Sequence, residues 1–156
     1  MSGAATTPEE RLAELGLAVP EVAKPVASYI PAVRSGNHVF TSGQLPMRDG
    51  ELITTGKVGG EVTEEEAVEC ARQCALNAMA AVRAEIGELS RVKRIVKVVA
   101  FVASTPDFTG QPGIANGASE LFGDVFGELG RHARSAVGVP VLPLDAPVEV
   151  ELVVEV

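Results

Sequence analysis

The last nine residues, Val148-Glu149-Val150-Glu151-Leu152-Val153-Val154-Glu155-Val156, carry apolar and acidic side chains in near-strict alternation. Successive side chains of a β-strand point to opposite faces. The run is therefore a strand with Val148, Val150, Leu152 and Val154 on one face and Glu149, Glu151 and Glu155 on the other. An apolar sheet face has to be covered by a second layer.

Two helical patterns can supply that layer. Thr63-Glu64-Glu65-Glu66 reads as a capping box, in which Thr63 bonds the Glu66 backbone while Glu66 reaches back. The helix it opens runs to Ile86, ahead of Gly87. Its buried stripe is Ala67, Ala71, Cys74, Ala75, Ala78, Val82 and Ile86, and these mostly small residues imply close approach to a neighbour. Glu69, Arg72, Gln73 and Arg83 fall on the outward face. The second helix repeats Ile114, Ala118, Leu121, Phe122, Val125 and Phe126 at three and four residues and ends at Gly127 to Gly130.

Between the helices, the Val-rich run Ile95 to Ala103 is expected to be a central strand buried on both faces. Nearer the start, Thr7-Pro8-Glu9-Glu10 opens a short helix closed by Gly16. Pro20, Pro25 and Pro31 then punctuate the chain. Ser35-Gly36-Asn37 is a hairpin turn, His38 to Ser42 the returning strand, and Asp49-Gly50 a further turn. The order of hairpin, helix, strand, helix and strands predicts a two-layer α+β domain over 26–156, with both main helices on one face of a single mixed sheet. Residues 1–25 form an N-terminal extension with its short helix. The face away from the helices is expected to carry Arg134 and Glu149 with Val and Phe around them, so other subunits are expected to cover it in a closed oligomer.

Composition narrows the function. The 156 residues fit one domain, 46% of them hydrophobic and only 4% aromatic with no Trp, which gives a core of Val, Leu and Ala. A net charge of -8 argues against nucleic-acid binding, because phosphate neutralisation needs clustered Lys and Arg; Arg91-Val92-Lys93-Arg94 is short. No run approaches the roughly 20 apolar residues that span a bilayer, and the first residues lack a secretory pattern, so a cytoplasmic protein without membrane association is expected. Cys70 and Cys74, four apart on one helix, are read as buried reduced thiols. With His38 and His132 far away in sequence, no metal site is expected. Lys57 in Gly56-Lys57-Val58-Gly59-Gly60 belongs to a turn, since the glycine spacing and Val58 do not suit a phosphate loop.

Arg134 stands alone as a cation in Ala133-Arg134-Ser135-Ala136-Val137-Gly138-Val139. A buried guanidinium costs several kcal/mol unless acceptors and an anion meet it, and its planar fork suits a carboxylate. That carboxylate is either internal, with the acids of the C-terminal strand at hand, or belongs to a ligand. Neither His is linked by a motif to a Ser or Cys, so no nucleophile with a neighbouring base is evident; His132 would share a face with Arg134 if that strand begins early enough, but reads as a surface residue after a Gly-ended helix.

The segment from Tyr29 through Ser35-Gly36-Asn37-His38 to Thr41-Ser42-Gly43-Gln44-Leu45-Pro46, together with Arg134-Ser135-Ala136-Val137 and Leu142-Pro143 leading to Glu149, resembles the Rid family of RidA-like reactive intermediate deaminases. The likeness covers most of the chain from Tyr29 onward. It implies a chorismate-mutase-like fold, a homotrimer with sites in intersubunit clefts, and hydrolysis of enamines and imines such as 2-aminoacrylate and 2-iminopropanoate to 2-oxo acids and ammonia. No metal or organic cofactor is implied. Arg134 matches the arginine that grips the substrate carboxylate, and Glu149 the acid that orients and activates water. Tyr29, Ser42 and the Gly43 backbone match cleft-lining residues, and Asn116 the polar helix position. Ala136 occupies a position often held by Cys. Pro31 in place of a common Gln, an apparent insertion at Gly110-Gln111-Pro112-Gly113 and the N-terminal extension mark a divergent branch. The rival reading is a non-catalytic trimeric module that binds small carboxylates; a ribonuclease or translation inhibitor ranks below both.

Overall fold

A computed structural model describes residues 6–25 and 27–156; Val26, at the domain boundary drawn above, lies outside them. Among the described residues, seven strands and three α-helices form a mixed α+β fold. The strands are β1 (Ala32–Ser35), β2 (His38–Thr41), β3 (Met47–Arg48), β4 (Glu51–Leu52), β5 (Arg94–Ala103), β6 (Ala133–Val139) and β7 (Val148–Glu155). The helices are α1 (Pro8–Glu14), α2 (Glu64–Ile86) and α3 (Gln111–Phe126). Five strands make the main sheet in the order β1-β2-β7-β5-β6, and β3 pairs with β4 alone. Within the main sheet only β5 and β6 are parallel, and α3 is the crossover between them.

The alternation in β7 is realised in full. Val148, Val150, Leu152 and Val154 are buried, whereas Glu149, Glu151, Val153 and Glu155 are half-buried on the opposite face. Helices α2 and α3 pack on each other and on the buried face. They meet closely because Gly117 of α3 has no side chain: a Cβ there would fall 2.2 Å from the Val68 carbonyl oxygen. The α2 stripe expected from periodicity is buried throughout. Thr63 caps the helix by accepting from Glu66 N at 3.1 Å, the one half of the capping box that is hydrogen-bonded. The Asp49-Gly50 turn joins β3 to β4 with both residues at positive φ, 53° and 83°, which Asp and Gly tolerate better than bulkier residues.

Three expectations are corrected. Gln73 is buried, not outward, because Arg48 and Asn77 provide its hydrogen bonds. β5 is fully buried on one face only: Ile95, Val98, Ala100 and Val102 meet the helices, but Val96, Lys97, Val99 and Phe101 are half-buried on the other, where Phe101 packs against the small cluster of Leu45, Ala103, Leu142 and Ala146. Gly110 to Gly113 does not lie ahead of the helix but begins it: Gly110 is the N-cap of α3 and the next three residues form its first turn.

The short helix of the N-terminal extension packs into the core. Leu12 is fully buried, α1 lies against α3, and Glu9 accepts from Leu89 N at 2.9 Å. Cys70 and Cys74 are free buried thiols; Cys74 Sγ lies 3.7 Å from the Val148 carbonyl beneath β7. Burial pushes the Cys70 thiol up to about 11, helped by Glu69 and Glu66, and holds Cys74 well above its ordinary value. Lys57 pairs with Asp145.

Gly117→Ala would drive a methyl group into the α2 backbone. It is expected to cost roughly 1 to 3 kcal/mol, read as a lower midpoint in urea unfolding at unchanged slope.

Candidate functional site

Glu149 sits on the open face of β7 beside the chain leaving β2. Gln44 and Val150 exchange backbone hydrogen bonds of 2.8 and 3.0 Å, which lay Ser42-Gly43-Gln44 along β7. At Gly43 a Cβ would stand 2.7 Å from Glu149 Cδ, so glycine lets the carboxylate lie against the backbone. Ser42 reaches the other way: its hydroxyl donates to the Ile30 carbonyl at 2.6 Å and its N–H to Pro31 O at 2.8 Å. These bonds hold the Tyr29-Ile30-Pro31 segment at the rim.

The result is an open groove of about 1180 Å³ lined by Tyr29, Ser42, Gly43, Gln44 and Glu149, with Pro20 to Pro25 and Arg48 forming other parts of its wall. Glu149 is half-buried there, and desolvation followed by the neighbouring Glu151 raises its pKa above the ordinary carboxylate value. Among the described residues no cation forms a salt bridge with it. The groove floor is stiffened by a chain of polar groups. Arg48 donates to Glu69 at 2.7 Å and to Gln73 at 3.2 Å, Gln73 donates to Asn77 at 3.1 Å, and Asn77 donates to the Leu45 and Met47 carbonyls at 3.0 Å each.

Arg134 lies elsewhere. On edge strand β6 it pairs with Val98, which pairs in turn with Leu152, both on the buried face; Glu149 shares its row with Phe101 and Val137 on the open face. Arg134 and Glu149 of one chain therefore point to opposite sides of the sheet, contrary to the expectation that both lie on the open face. The difference is one of parity: 134 and 149 fall on opposite phases of the two-residue period. Nor is Arg134 surrounded by apolar groups, for an edge strand leaves it half-buried. Its Nη1 donates to Asn116 Oδ1 at 2.8 Å and to Ser119 Oγ at 3.2 Å, and its Nη2 to Pro112 O at 3.3 Å. All three acceptors are neutral. Ala136 lies on the same side of β6 and packs against the core.

The predicted residues thus gather in two groups within one chain. Tyr29, Ser42, Gly43 and Glu149 share the groove, while Arg134 and Asn116 meet at the sheet edge. Two further residues stand near Arg134: Ser119, which the sequence does not single out, and His132, expected at the surface but with its Nε2 2.9 Å from the Ser119 hydroxyl. The signal was present in their spacing. Ser119 follows Asn116 by three on α3, and His132 precedes Arg134 by two, the period of a strand. Among the described residues no group of three or more His, Cys, Asp or Glu could hold a metal ion.

A family model described as "YjgF/chorismate mutase-like, putative endoribonuclease" matches residues 9–156. This chain belongs to the YjgF/Rid family. The match takes in most of α1 as well as the α+β domain. Among Rid relatives, the Trypanosoma cruzi protein TCP17 is 47% identical over 145 residues, covering 92% of this chain and 91% of that protein. A Dermatophagoides farinae protein named 2-iminobutanoate/2-iminopropanoate deaminase is 35% identical over 140 residues, 88% of this chain and 93% of its own. The crystal structure of Atu1372 from Agrobacterium tumefaciens, described as of unknown function, superposes with a TM-score of 0.90 at 45% identity, over 96% of this chain and 92% of that one.

The raised proton affinity of Glu149 has a defined consequence for stability. An acid whose folded-state pKa exceeds its unfolded value destabilises the fold once ionised, and the penalty fades as pH falls through the folded pKa to the ordinary carboxylate range. Glu149→Gln should therefore be more stable than the parent at neutral pH, with the difference closing in acid, as followed by denaturant titration at several pH values. Glu151→Gln should lower the Glu149 pKa in a carbon-detected NMR titration yet leave it above the ordinary value, because burial is the larger cause.

Proposed function

We propose that this Rid protein hydrolyses small 2-imino acids and their enamine tautomers to 2-oxo acids and ammonia. The observation that carries the reading is the Arg134 guanidinium, held in place by three neutral acceptors with its charge left for an anion of the substrate. A carboxylate on the imine suits it. The relative named 2-iminobutanoate/2-iminopropanoate deaminase supports the same substrate class.

The chemistry asks little of the protein. An imine carbon is already electrophilic, so a base that takes a proton from water, together with protonation of the nitrogen, carries the C=N bond to a carbinolamine; its collapse expels ammonia and leaves the 2-oxo acid. Glu149 is the acid and base of this scheme. Its raised pKa brings it nearer the operating pH, where a group both accepts and returns a proton efficiently. Ser42 and Gly43 shape the groove around it, Tyr29 borders the groove, and Asn116 holds the anchor.

Arg134 and Glu149 point away from each other within a chain, so the site is completed by pairing the Arg134 edge of one subunit with the Glu149 groove of the next. A homotrimer accomplishes this and covers the open sheet face, where Val33, Phe40 and Val137 are exposed.

Two measurements test the proposal. With 2-iminopropanoate generated in situ by a PLP-dependent dehydratase, the protein should accelerate pyruvate release, and Arg134→Ala or Glu149→Gln should each lower kcat/KM by about 10² to 10⁴. No acceleration by the parent protein, or full activity in Arg134→Ala, overturns it. Light scattering should give a mass three times the 16.2 kDa of one chain.

A further inference from the structure

Behind Arg134 lies a hydrogen-bond chain that the proposed reaction does not use. His132 Nδ1 is 2.6 Å from the Gly130 carbonyl, and because a carbonyl only accepts, that nitrogen carries the proton. In the neutral ring Nε2 is then an acceptor, and the Ser119 hydroxyl, 2.9 Å away, donates to it. With its single hydrogen committed, the Ser119 oxygen turns lone pairs toward Arg134 Nη1 at 3.2 Å. The imidazole plane is held by the buried Phe122 ring, packed edge-on at 6.0 Å and 84°. Each donor and acceptor from the Gly130 carbonyl to the guanidinium thus has one role.

We infer that Ser119 and His132 are positioning residues that aim the Arg134 guanidinium at the substrate carboxylate, a role that rests on the proposed reading of Arg134 as the substrate anchor. A guanidinium offers five N–H donors. Here Asn116 and Ser119 take both hydrogens of Nη1, and Pro112 takes one of Nη2. Among the described residues this leaves Nε–H and one Nη2 hydrogen for a carboxylate. An arginine on an edge strand would otherwise sample many rotamers, and fixing it in advance removes that entropy from binding. The reason for a Ser–His pair rather than a Ser alone is direction: an unpartnered hydroxyl can turn its hydrogen toward the guanidinium, whereas one tied to Nε2 presents only its oxygen.

The test compares wild type, Ser119→Ala, Ser119→Thr, His132→Phe and His132→Gln in two assays: calorimetric binding of 2-oxobutanoate, and kcat and KM for 2-iminopropanoate hydrolysis. Ser119→Ala and His132→Phe should weaken 2-oxobutanoate binding about tenfold and raise KM in step, with kcat held within about twofold. Ser119→Thr keeps a hydroxyl and His132→Gln keeps an acceptor, and both should recover most of the loss. Unchanged binding in Ser119→Ala overturns the inference, as does a fall in kcat at constant KM. Covalent capture of Ser119 by a fluorophosphonate overturns it too, since that would make the serine a nucleophile. The deaminase reading fails separately: a wild-type protein that binds 2-oxobutanoate with this Ser119 dependence but hydrolyses no imine keeps the positioning role and loses the reaction. A wild-type protein that binds no 2-oxobutanoate overturns both.

Discussion

β7 is hydrogen-bonded on both flanks, to β2 and to β5, and its two-residue period is the constraint from which the rest of the molecule follows. A shift of one residue in either pairing would turn three glutamates into the helix layer and four aliphatic side chains out of it. The register is therefore held by the core, far more firmly than any groove residue could hold it. Glu149 inherits that rigidity, and through the Gln44–Val150 pair so does the segment that shapes its surroundings.

Much of this was legible in the amino-acid order. Both main helices, the bounds of α2, the aliphatic phase of β7 and the burial of the two thiols follow from periodicity and capping, because each is decided by neighbours within a few residues. What escaped depends on the third dimension. Nothing local says that the Val-rich β5 lies with one face to the helices and the other to open space, or that Gln73 finds Arg48 from a hairpin 25 residues away. The phase relation between Arg134 and Glu149 was hidden for the same reason: they belong to strands separated by β5, one parallel and one antiparallel to it, and only the pairings reveal that they diverge.

That divergence also accounts for the electrostatics. A guanidinium close to Glu149 would pull its proton affinity down, whereas desolvation and Glu151 act here without opposition from a paired cation. Within one chain the cation lies on the far side of the sheet, so the proton affinity of Glu149 is set by burial and by Glu151.

Burial keeps Cys70 and Cys74 chemically quiet. The thiolate is the form that attacks electrophiles, and for a thiol at about 11 only roughly one molecule in ten thousand is ionised at neutral pH; Cys74, sealed beneath β7, is shielded still further. Burial thus holds both sulfurs in the protonated, weakly nucleophilic form, out of reach of electrophiles in solution.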